Sequence, residues 1–75
     1  MPRAHAFSVH DQDEAPSRGR RVIAGSFETA ALAFLEWRHP DGEGGEVALM
    51  VEDCESGERQ CFRVDLASGE TAPCD

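Results

Sequence analysis

Three cysteines and three histidines are the side chains of this 75-residue chain with the most chemistry in them. A zinc centre would draw on Cys54, Cys61 and Cys74 together with His5, His10 or His39, since thiolate and imidazole are its usual ligands. Structural zinc sites rely on closely spaced ligand pairs, whereas six and then twelve residues separate these cysteines. A second cluster, residues 52–58, places Glu52, Asp53, Glu55 and Glu58 within seven positions. A calcium loop needs alternating oxygen ligands and a closing bidentate glutamate, and that spacing is absent. The expectation is therefore no metal and no cofactor. Nor do Gly-x-Ser-x-Gly, P-loop or His-Glu-x-x-His patterns occur, and no base, orienting group and pocket can be assembled from the residues. An enzyme is not expected.

The elements that position these residues follow from a repeat. Asp-x-x-Ser-Gly-Glu occurs at residues 53–58 and again at 65–70. Glycine reaches positive φ without a Cβ clash, and the Asp and Ser side chains can bond nearby backbone, so each copy marks a tight turn. Alternating apolar residues flank both copies, which gives a C-terminal antiparallel meander. Val47, Leu49 and Val51 share one face, as do Phe62, Val64 and Leu66. Pairing Val51 with Phe62, Leu49 with Val64 and Val47 with Leu66 brings the two sets together, and a one-residue slip would turn one of them outward. A last strand at 70–74 contains Pro73, which suits an edge. In this register Cys61 and Cys74 fall on the same face of adjacent strands but diagonal to each other, poor geometry for a disulfide. All three cysteines thus read as free thiols in a reducing cytosol.

Upstream, residues 5–10 predict a first strand, 11–19 a polar loop and 21–24 a short second strand. A helix follows, with Ser26 as N-cap, Glu28 in its first turn, and Pro40 and Gly42 beyond its end, where His39 would cap the last carbonyls. Its apolar stripe runs through Phe27, Ala30, Ala31 and Phe34, with Leu35 and Trp37 on the shoulders; Leu32 lies about 140° round, beyond the reach of a core. The fold predicted is a single α+β domain over residues 1–75, two-layered, with one helix on a small antiparallel sheet in the order β-(β)-α-β-β-(β). The opposite sheet face, with Ala48, Met50, Cys61 and Arg63 near its centre, has no second helix to cover it.

Charge bounds the function. The net charge is −8, all seven cations are arginine, and Lys, Asn and Tyr are absent, a composition typical of a GC-rich bacterial or phage genome. Residues 1–40 balance five arginines against five acids, so residues 41–75 carry the whole excess. Such a half repels nucleic-acid phosphates and anionic membranes. The one basic run, Arg18, Arg20 and Arg21, adjoins Asp11, Asp13 and Glu14 and has no aromatic stacking partners. No apolar run is long enough for a signal peptide or a membrane span. The expectation is a cytoplasmic, non-catalytic protein-binding module that covers a basic surface of a nucleic-acid-handling partner, in the manner of small DNA-mimicking inhibitors such as anti-CRISPR proteins. Its contact residues would be Glu52, Asp53, Glu55, Glu58, Asp65 and Glu70. The alternative is a housekeeping protein or accessory subunit that assembles through the uncovered face, a homodimer included.

Overall fold

In the computed structural model of the chain, residues 3–38 and 45–74 are described. Strand β1 (His5–Asp11) is followed by one 3-10 turn (Pro16–Arg18), β2 (Arg20–Ala24), helix α1 (Phe27–Arg38), β3 (Glu46–Asp53), β4 (Arg59–Asp65) and β5 (Thr71–Pro73). The strands form one antiparallel sheet in the order β2-β1-β3-β4-β5, with α1 packed on one face. The expected α+β architecture holds. Expected residues His39, Pro40 and Gly42 lie outside the described residues.

Two hairpins meet at the β1–β3 seam, where Val9 pairs with Val51. In the first hairpin Gly19 comes so close to β1 that an added Cβ would collide with the Val9 carbonyl and the His10 Cβ. Ser26 caps α1 as expected: its Oγ accepts from the Thr29 amide at 3.2 Å, while its carbonyl accepts from the Ala30 amide. At the other end Arg38 Nη2 donates to both oxygens of Glu14 at 2.9 Å, a charge-assisted contact that ties the helix to the β1–β2 loop.

The core comprises Phe7 and Val9 of β1, Ala24 of β2, Leu49 and Val51 of β3 and Val64 of β4, covered by Ala30, Ala31, Phe34 and Leu35 of α1. The helix stripe is rotated relative to expectation, toward Leu35 and away from Trp37. Leu32, expected beyond the core, is partly buried and packs against the core's edge. Trp37 remains 49% exposed; its ring lies 5.7 Å from that of Phe34 and carries the Arg20 guanidinium 4.8 Å from its centroid. The rotation follows from the strand order, which extends the sheet to β4 and β5 on the Leu32 side.

The β3–β4 register differs from expectation by two residues: Val47 faces Val64, Leu49 faces Phe62 and Val51 faces Gln60. Alternation survives because a two-residue shift leaves every side chain on its own face. The turn decides between the two registers. Gly57, at φ +79°, occupies the last loop position, and Glu58 returns to the ladder by accepting from the Asp53 amide at 2.8 Å. The second turn is built the same way, with Gly69 at φ +79° and the Asp65 amide donating to the Glu70 carbonyl at 2.9 Å.

That register corrects the cysteine assignment. Phe62 faces Pro73, and one step further the Cys74 amide donates to the Cys61 carbonyl, so the two cysteines stand opposite rather than diagonal. Their Cα atoms are 5.3 Å apart and they form a disulfide, while Cys54 is a free, exposed thiol. The bridge fastens a three-residue edge strand whose Pro73 cannot donate to a ladder. Closing a loop of sequence separation 13 stabilises a fold by about 3 kcal/mol in the chain-entropy account. Cys74→Ser should lower the unfolding free energy in urea by roughly 2–3 kcal/mol, and reductant should do the same to the unmodified chain. An unchanged midpoint after reduction would show that β5 is held by its ladder alone.

Candidate functional site

The two turns hold their carboxylates by one construction. Asp53 Oδ1 accepts from the amides of Glu55 (2.8 Å) and Ser56 (3.3 Å), the Gly57 amide returns to the Asp53 carbonyl, and Ser56 Oγ accepts from the Glu58 amide. Asp65, Ala67, Ser68, Gly69 and Glu70 repeat each of these bonds. Both aspartates therefore serve the backbone first, as side chains of this type do at turns.

The first turn carries one addition. His5 Nε2 lies 3.0 Å from Asp53 Oδ2, and Nδ1 lies 3.0 Å from the Arg3 carbonyl and 3.9 Å from Glu55 Oε2. Every one of these neighbours is an acceptor, so the doubly protonated ring satisfies them together. The Arg3 carbonyl holds the His5 pKa above its usual value against the opposing effect of burial, with Asp53 and Glu55 adding to the rise. For Asp53, burial works upward but is outweighed by the Glu55 and Ser56 amides and by His5, so its carboxyl lies below the usual range.

The six acidic residues expected at the contact divide between the two turns. Glu52, Asp53, Glu55 and Glu58 sit at the first-turn end of the sheet, whereas Asp65 and Glu70 sit at the other end. The seven residues of β4 separate the groups by about 20 Å. Glu55 and Glu58 are exposed, and Glu58 accepts from Gln60 at 3.1 Å. Glu52 faces Arg59 across the ladder, with Arg59 Nε 3.8 Å from its Oε2. At the far end Glu46 joins Asp65 and Glu70, with Arg63 Nη1 3.9 Å from Glu46 Oε1.

On the uncovered face Met50 lies beside His10 and Cys61, and Ala48 beside Arg63. Ala48, Met50 and Cys61 are half-buried and Arg63 is exposed, as the alternation implied. The β1–β2 loop reaches over one corner of this face at Pro16. It leaves a hollow of about 250 Å³ that Ser8, His10, Met50, Glu52 and Arg59 complete. Sequence reading missed this hollow because loop direction has no periodic signal. It also missed the His5–Asp53 contact, which joins residues 48 positions apart.

Among the described residues no group of three or more His, Cys, Asp or Glu is placed to hold a metal ion. No helix among them is long and apolar enough to cross a membrane. Fold and surface together define a small two-layer α+β domain with hydrogen-bonded acidic turns at both ends of its sheet. The chain belongs to a family of unknown function (DUF5961), whose model matches residues 5–75. No curated protein and no solved structure matches it.

Folding raises the His5 pKa above its unfolded value near 6.5, so the stability it adds is complete below that value. That stability is lost as the pH rises through the folded pKa. Asp53 is depressed below 3.8; its share is complete above that value and lost as the pH falls through the folded pKa. The pair therefore acts together at mildly acidic pH. Between about pH 6 and 8 the urea midpoint of the unmodified chain should fall more steeply than that of His5→Gln. Parallel profiles would remove His5 from the account.

Proposed function

We propose that the chain is a non-catalytic protein-binding module whose acidic half recognises a basic surface, on the pattern of small inhibitors that imitate DNA. The observation that carries this reading is the duplicated turn, which fixes exposed carboxylates on a hydrogen-bonded frame at each end of the sheet. Charges held in place lose less entropy on binding than charges on a floppy tail. A surface that presents phosphate-like charges fits a protein that handles nucleic acid, and attraction of this kind is fast and salt-sensitive. With the two acidic groups about 20 Å apart, each end offers its own contact.

The reading is tested by capturing such a partner at low salt from cells that carry the chain and measuring its affinity for variants. Charge reversal at Glu52, Glu55 and Glu58, or at Glu46 and Glu70, should weaken binding several-fold with little change in melting, because exposed charges add little to folding. Reversal of Arg18, Arg20 and Arg21 should leave it unchanged or tighter. Essential arginines with dispensable acids would overturn the reading.

A second reading rests on the uncovered sheet face: an accessory subunit that assembles through Ala48, Met50, Cys61 and Arg63. Its support is the half-buried Met50 at the centre of a face that no helix among the described residues covers, and the extra stability a marginal domain draws from association. Both readings place the chain in the cytoplasm, a compartment where a disulfide such as Cys61–Cys74 is uncommon. Sedimentation of the chain over a wide concentration range should show a monomer under the first reading; a concentration-dependent dimer favours the second.

A further inference from the structure

Between α1 and the second turn lies a groove of about 320 Å³ whose apolar walls are Leu32, Leu35, Val64 and Leu66. Leu35 and Val64 form its buried floor, while Leu32 and Leu66 are only half-buried. Glu36 on the helix and Asp65 at the start of the turn stand at its rim, both exposed. Its size is at the small end of ligand pockets, which span about 300–1,000 Å³, and suits one or two large apolar side chains.

We infer that this groove receives the apolar anchor of a basic segment on a protein partner, one aliphatic or aromatic side chain flanked by arginine or lysine. The inference rests on the acidic-module reading and names the end of the sheet at which it operates. Leucine walls give the anchor the desolvated seat that dominates binding energy at interfaces. The carboxylates at the rim complement cations on either side of it and repel an acidic segment. Asp65 is suited to this because the Ala67 and Ser68 amides already fix its orientation. A neutral or acidic apolar chain would find the same leucines but no charge partner, in a molecule whose net charge is −8.

The test is a titration of the full ¹⁵N-labelled chain at low salt with a short peptide carrying one leucine between arginine pairs. Two control peptides replace the leucine by serine or the arginines by glutamates. The arginine–leucine peptide should shift the amides of Leu32, Glu36, Leu66 and Gly69, and each control should bind about tenfold more weakly or worse. Leu66→Gln should weaken the first peptide to a similar degree. Glu36→Gln, which leaves the apolar walls untouched, should weaken it a few-fold and lower its salt dependence. If the serine peptide binds equally well, with shifts scattered over both acidic ends, the groove falls while the acidic-module reading stands. Equal binding of the glutamate peptide at the groove amides overturns the basic partner and leaves an apolar site. No shift with any peptide overturns the groove outright, and the charge-reversal measurement on the captured partner then judges the module reading separately.

Discussion

One twelve-residue helix must cover every apolar side chain that the sheet buries. A chain of 75 residues buries only about 60% of its unfolded surface, so the cover has to be close. Ala30 and Ala31, both fully buried, let the helix backbone approach the sheet, and Phe34 joins Val9, Leu49 and Val51 in one buried cluster. What the helix cannot reach remains on the surface: the whole Met50 face and the Leu32–Leu66 groove where the cover ends. Both candidate surfaces are consequences of how far one helix extends.

The duplicated turn is the second organising element, and it explains both what the sequence reveals and what it conceals. Alternation in Val47, Leu49 and Val51 and in Phe62, Val64 and Leu66 assigns each residue to a face but leaves pairing open to shifts of two. Ending the loop at Gly57, with Glu58 already back on the ladder opposite Asp53, selects the observed pairing. Since the second turn copies the first, the same misplacement propagates to it and sets Cys61 diagonal to Cys74. A single point of turn geometry thus accounts for both the register and the hidden disulfide.

Local signals were readable elsewhere. Ser26, Glu28 and the apolar stripe define α1, and the Asx geometry of Asp53 and Asp65 follows from residue type and spacing. Features that depend on distant residues meeting were not readable. These include the seat of Leu32, set by strand order, the His5–Asp53 contact, set by the β1–β3 seam, and the division of the acidic residues between two ends. The last was implicit in the count of residues in β4, because successive hairpin turns always lie at opposite ends of the strand between them.

The strand order also sets which pairing spans the most chain. The β1–β2 hairpin and the β3–β4–β5 meander each close over short stretches of chain, whereas the seam between them pairs residue 7 with residue 53. Bringing those ends together costs the most loop entropy, and the helix gains its full cover only when both halves are present. Among the strand pairings, the β1–β3 seam therefore carries the largest closure cost, and Val9 and Val51 meet at its centre. A chain lacking β1 would leave β3 as an exposed edge, open to pairing with another strand.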